Sequence, residues 1–306
     1  MQYEEFERRR KMRRRRRQQM MRRRCIFFTV LLLIVAAAAG AIYANIKAKP
    51  KPDENLPVSA PVDAADPSAS PDASGEPAAD ETLALYPPAP EKPADILKAV
   101  KAVDDGVKVA YLTFDDGPTT SVTPKILDVL RRYNVKATFF EVGSLIEQNP
   151  DMSRRVYDEG HLLANHSYAH NYSKLYASEE AFITEVQKTH ELIQGITNDP
   201  DYPKVFRFPG GGYDAGSYGK KKQEYKKTLE QNGFRYCDWN ALNGDAEGGS
   251  PSASQLVERV KSTAKRDHIV VLMHDAAAKK TTAEALPQII EYLISQGYTF
   301  KTLDQA

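Results

Sequence analysis

From about residue 98 to residue 306, short runs of β-branched and aromatic residues alternate with stretches whose apolar positions recur at helical spacing. Strands are expected at 107–113, 137–142, 161–165, 205–208, 235–239, 269–273 and 298–302. Helices are expected at 123–133, 151–159, 179–195, 219–232, 252–264 and 282–296. Seven strands alternating with helices imply a parallel sheet, either open and doubly wound or closed into a barrel. No glycine-rich dinucleotide fingerprint follows the first strand, because Gly117 is followed at once by Pro118.

The pattern upstream is different in kind. Residues 25–46 run for 22 positions without a charge, and at roughly 1.5 Å per residue such a helix reaches about 33 Å, enough to cross a hydrocarbon core of about 30 Å. Residues 1–24 carry eleven Arg and one Lys against three Glu. A basic run of that kind suits either nucleic acid or a membrane surface, and the apolar run behind it decides for the membrane. The expectation is a basic cytoplasmic tail (1–24), one transmembrane signal-anchor helix (25–46) and an extracytoplasmic remainder, with no nucleic-acid partner. A cleaved signal peptide is the competing reading, with the Ala-rich residues 36–44 as its cleavage region. The length of the apolar run favours the anchor. Residues 47–97 are dominated by Pro, Ala, Ser, Asp and Glu, too poor in large apolar side chains to offset the entropy of ordering, and read as a disordered linker. A tethered domain of about 200 residues (98–306) then faces a large substrate fixed beside the bilayer.

Of the two cysteines, Cys25 lies at the edge of the anchor and Cys237 deep in the globular part, so no disulfide is expected and Cys237 reads as a small buried residue.

Chemistry concentrates at the ends of the expected strands. Thr113-Phe114-Asp115-Asp116-Gly117-Pro118 delivers two adjacent carboxylates onto a turn. Neighbouring carboxylates repel unless something positive accommodates them, and a metal ion would do so. His166 and His170, four apart, would share one face of a helical turn and reach the same ion. Two histidines and a carboxylate leave coordination positions open, as catalytic zinc requires. Taken singly, each half is ordinary. Asp104-Asp105-Gly106 is a second acidic turn that precedes the strand, and His-x-x-x-His often marks nothing but a helix surface. Arg207, Asp238, His274 and Asp275 stand at the ends of later strands, and in a parallel barrel all such ends open on one face. His161, His190 and His268 fall outside these clusters and read as structural.

With these residues assembled, the sequence resembles the polysaccharide deacetylase family, the carbohydrate esterases that share the NodB-homology domain. Five ordered segments over about 105–306 carry the resemblance: Thr113–Pro118, His166–His170, Arg207-Phe208-Pro209-Gly210, Asp238-Trp239 and Leu272-Met273-His274. It implies a distorted (β/α) barrel of seven strands. It also implies a divalent metal, zinc first among candidates, on Asp116, His166 and His170. Asp115 would be the general base, oriented by Arg207. His274 would be the acid that protonates the departing amine, with Asp238 fixing its tautomer and raising its pKa. The Gly210 backbone N–H would serve the oxyanion, and Trp239 and Leu272 would wall the acetyl methyl. Where the family commonly has Arg-Pro-Pro-Tyr, this chain reads Arg-Phe-Pro-Gly-Gly-Gly-Tyr. The glycines should leave the amide less fixed, and Tyr213 or Tyr168 are the candidates to replace the missing side chain. The activity so implied is N-deacetylation of peptidoglycan amino sugars by a monomeric catalytic domain. O-acetyl ester hydrolysis on xylan or exopolysaccharide, or a silent wall-binding protein, are the alternatives.

Overall fold

The computed structural model describes residues 92–306. The basic tail, the 25–46 anchor and the linker up to residue 91 lie outside the described residues, and among those described no helix is long and apolar enough to cross a membrane. Folded structure begins inside the span read as linker. Asp95 accepts a hydrogen bond from the Lys98 N–H and caps helix α1 (Ile96–Ala102), whose Ile96 is fully buried.

Strand β1 (Val109–Gly117) is the centre of the sheet. Its residues are buried on both faces, as a central parallel strand requires. It is followed in chain order by α2 (Thr123–Tyr133), β2 (Thr138–Glu141), α3 (Gly143–Gln148), α4 (Pro150–Asp158), β3 (Leu162–Asn165), α5 (Tyr172–Leu175), α6 (Glu179–Thr197) and β4 (Val205–Phe206). The remainder is α7 (Gly219–Gln231), β5 (Arg235–Tyr236), β6 (Ala241–Leu242), α8 (Ala253–Thr263), β7 (His268–His274), α9 (Lys280–Ser295) and β8 (Thr299–Phe300). Six helices expected from periodicity appear within two residues of their expected limits, because each has a strong local signal. In α2, for example, Pro124 lies in the first turn, Ile126, Leu127 and Leu130 point inward, and Asn134 closes the helix in the left-handed conformation at φ 52°.

All paired strands are parallel, in the order β5-β4-β3-β2-β1-β7-β6, with β8 on the first two residues of β1. This is an α/β half-barrel. No ladder joins β5 to β6, so the sheet does not close by hydrogen bonding, and the expected seven-strand barrel is realised as an open, distorted one. The short pair β6 was not expected at all. Three of the expected strands, 205–208, 235–239 and 298–302, shrink to two residues each, the first two because the chain turns away to build the site.

Two apolar clusters form the core of the described residues. The larger surrounds β1, β2 and β7. The smaller is aromatic, with Tyr176, Phe182, Phe206, Phe208, Tyr225 and Phe234 at its centre, and underlies the segment that follows β4.

Candidate active site

Strand β1 does not end before its acids. It continues through Asp115 and Asp116 to Gly117, with an irregularity between Asp115 and Gly117 that puts Asp116 at φ 73°. The bulge turns the two neighbouring carboxylates in different directions. Asp115 faces inward, 3% exposed, and Asp116 faces the cleft. Gly117 is required here, since a Cβ would lie 2.2 Å from Asp275 Oδ2.

The histidines correct one expectation. His166 and His170 do not lie on a helical turn but on a loop after β3, in which Ser167 and His170 adopt left-handed φ values of 67° and 49°. Side-chain bonds replace the helix. Asn165 Oδ1 accepts the Ser167 N–H at 3.0 Å, and Ser167 Oγ accepts the His170 N–H at 3.2 Å. The two rings nevertheless converge, with Nε2 of His166 and of His170 at 3.5 and 3.2 Å from Asp116 Oδ1.

Three observations fit this trio to a metal ion. Asp116 Oδ1 is buried and has no hydrogen-bond partner. All three donor atoms lie within 4.8 Å of one another. Burial holds His166 neutral, its pKa pushed down to about 3, and its Nδ1 lies 2.9 Å from the Arg207 carbonyl oxygen. Nδ1 therefore carries the proton and donates it, which leaves the Nε2 lone pair for a ligand.

Arg207 is fully enclosed, with 0% exposure. Its guanidinium donates to Asp115 Oδ1 at 2.8 Å, to Thr113 Oγ1 at 2.7 Å and to the Cys237 carbonyl at 2.9 Å, and lies 4.0 Å above the Phe140 ring. A buried pair so bonded fixes the orientation of the Asp115 carboxylate. His274 is the direct partner of Asp115 across the β1–β7 ladder, and the Asp275 N–H donates to the Asp115 carbonyl at 3.0 Å.

Asp238 does not do what was expected of it. The carboxylate beside His274 is Asp245, whose Oδ1 lies 2.7 Å from His274 Nδ1 and whose Oδ2 accepts the His274 backbone N–H at 2.9 Å and the Thr282 hydroxyl at 2.7 Å. Burial works against the imidazolium, yet the bond to Asp245 and its charge outweigh it, with Asp115 and Asp116 adding, and the His274 pKa is pushed up to about 9. Asp238 accepts the Gly212 N–H at 2.7 Å, too committed to the glycine segment to orient His274. Asp245 escaped notice because it follows Asn243-Gly244, which reads as an ordinary turn. Its only signal is the Asn243 side chain that accepts the Asp245 N–H at 3.1 Å.

The glycine segment is better fixed than expected. Lys222, Tyr176, Gln223 and Asp238 all hydrogen-bond its backbone. The side chain beside Gly210 is neither Tyr213 nor Tyr168 but Tyr172, whose hydroxyl lies 2.8 Å from where a Gly210 Cβ would be and whose ring stands edge-on to His170 at 5.6 Å. Tyr168 turns away to hydrogen-bond Glu147, and Tyr213 packs edge-on to Trp239 at 5.5 Å. Leu272 lies two residues before His274 on β7 and shares its face. His161, His190 and His268 are all buried away from this cluster, His161 accepting the Ala137 N–H and His268 paired to Asp105.

The polysaccharide deacetylase family model matches residues 102–236. A peptidoglycan-N-acetylglucosamine deacetylase of Bacillus cereus is 30% identical over 203 residues, which cover 66% of this chain and 90% of that protein. One of the same name from Listeria monocytogenes is 35% identical over 194 residues, 63% of this chain, but the chain spans only 38% of its length. The crystal structure of the catalytic domain of a peptidoglycan N-acetylglucosamine deacetylase from Eubacterium rectale superposes with a TM-score of 0.59 at 35% identity, covering 65% of this chain and 90% of that one. Near-complete coverage of a catalytic domain, together with acids, histidines and arginine gathered at the ends of parallel strands, makes the chain a member of the polysaccharide deacetylase family.

Proposed function

We propose that this protein is a metal-dependent hydrolase that removes N-acetyl groups from peptidoglycan amino sugars. The observation that carries the proposal is the meeting, on one set of strand ends, of an open three-ligand cluster, a buried carboxylate and a histidine paired to an acid. Asp116, His166 and His170 would hold the ion, zinc by donor type, which when bound lowers the pKa of water and polarises a carbonyl. Asp115, held by Arg207, accepts the proton of the attacking water. The Gly210 N–H donates to the oxyanion as the carbonyl carbon becomes tetrahedral. His274, kept protonated by Asp245, passes its Nε2 proton to the sugar nitrogen, and acetate departs from the free amine. Trp239 and Leu272 are assigned to the acetyl methyl. The envelope-side location read from residues 1–46 belongs to the same proposal, because peptidoglycan lies outside the membrane.

Mass spectrometry of wall glycan digested after treatment with the zinc-loaded protein tests the reading. The expected result is loss of one acetyl group, replaced by hydrogen, from an amino sugar. Loss of acetate only from O-acetylated glycan would make the enzyme an esterase instead.

The assignment of Asp245 makes a separate prediction about pH. Activity should fall as pH rises through the His274 pKa, since only the imidazolium can donate. Asp245→Asn removes the anion that raises this pKa, so the alkaline limb should move to lower pH by at least about one unit. Asp238→Asn should leave that limb in place. A limb that moves with Asp238 and not with Asp245 would reverse the two roles.

A further inference from the structure

The Pro209–Gly210 peptide is a single planar unit, with its carbonyl oxygen on one side and the Gly210 N–H on the other. Two donors converge on that oxygen. Lys222 Nζ lies 3.1 Å from it and Tyr176 Oη 3.0 Å. The same ammonium reaches the Gly211 carbonyl at 2.6 Å and sits 5.2 Å from the centre of the Tyr176 ring. Lys222 comes from α7, and only 6% of it is exposed. A lysine is rarely so enclosed unless its charge is used.

A donor on a peptide oxygen draws electron density through the amide and leaves the N–H more positive, and a charged donor does so more strongly than a neutral one. We propose that Lys222 and Tyr176 are positioning residues for the oxyanion site, polarising the Pro209–Gly210 peptide and fixing its plane so that the Gly210 N–H is a stronger, better-aimed donor. This rests on the reading of Gly210 as the oxyanion donor. It also explains how a segment of three glycines serves there. Gly210 and Gly211 adopt left-handed φ values of 73° and 78°, so a side chain at 210 is strained and would meet Tyr172. Rigidity therefore comes from outside the segment, through Lys222 and Tyr176 on the carbonyls and Asp238 on the Gly212 N–H.

The test uses the full chain, zinc-loaded, with N-acetylglucosamine oligomers and their N-trifluoroacetyl counterparts. Lys222→Met keeps the side-chain length and removes the charge, and Tyr176→Phe keeps the ring and removes the hydroxyl. Removing an oxyanion donor costs on the order of 10²–10³ in kcat, so weakening one should cost about tenfold. Lys222→Met should lower kcat by that factor with KM and zinc content unchanged, and Tyr176→Phe by less. The loss should shrink on the trifluoroacetamide, whose fluorines already stabilise the oxyanion. The Gly210 amide ¹⁵N resonance should move upfield in both variants. An unchanged kcat in the variants, or equal losses on the two substrates with an unmoved Gly210 resonance, would overturn the proposal. Because that resonance is read without turnover, a wild type that cleaves neither substrate would count against deacetylation while the resonance still decides the role of Lys222. If Lys222→Met fails to fold, Tyr176→Phe carries the same comparison.

Discussion

Asp115→Asn should lower turnover by on the order of 10²–10⁴, the usual worth of a positioned proton-transfer group, while the protein stays folded and keeps its zinc. The asparagine oxygen can still accept from Arg207, and the guanidinium also keeps Thr113 Oγ1 and the Cys237 carbonyl. Alanine is the wrong substitution for this purpose. Leaving a fully buried guanidinium without its partner costs roughly 3–5 kcal/mol, so a loss of activity would be confounded with a loss of fold. Steady-state kinetics paired with metal analysis and thermal unfolding checks the outcome. Normal turnover in Asp115→Asn would remove Asp115 from the role of base.

His166→Ala should release the metal and abolish activity with the fold intact. Its side chain is 3% exposed and would supply one of the three proposed ligands, and its Nδ1 bond to the Arg207 carbonyl sets the tautomer that leaves Nε2 free to ligate. The apolar core lies around β1, β2 and β7 rather than on the ion, so the metal is not expected to hold the domain together. Elemental analysis after dialysis against a weak chelator gives the stoichiometry, and circular dichroism gives the fold. One retained equivalent of zinc with normal turnover would refute the ligand assignment.

Much of this architecture could be read in the chain because it was written in local signals. Helices such as α2 and α8 announce themselves, the latter by the Ser252–Gln255 capping box, and the acids of β1 follow a continuous buried run. What stayed hidden depends on backbone geometry and on pairing. The spacing of His166 and His170 suits a helix equally well, and only the left-handed Ser167 shows that the chain takes another path. Strands β4 and β5 keep only two residues of the runs expected for them, and β6 is two residues long, below the length at which alternation can be seen, so neither the opening between β5 and β6 nor the nearness of Asp245 to His274 could be inferred. Asp238, beside the only tryptophan, is the acid expected to orient His274, whereas the carboxylate within hydrogen-bond distance of that ring lies seven residues later. The rigidity of the glycine segment was likewise invisible, since its supports Tyr176 and Lys222 lie in other elements.

The pairing of Asp115 with His274 across β1 and β7 has a consequence for how such an enzyme can change. The proposed base and acid would then be one rung of a parallel ladder, and the separation of their backbones is set by the spacing of neighbouring strands, about 4.8 Å. No loop contributes to that separation. Loops that carry none of the groups assigned to the reaction can be exchanged without moving these two residues. Inheritance of this framework thus uncouples chemistry from selectivity, and grafting loops between relatives should redirect which glycan is accepted before it alters the rate of bond cleavage.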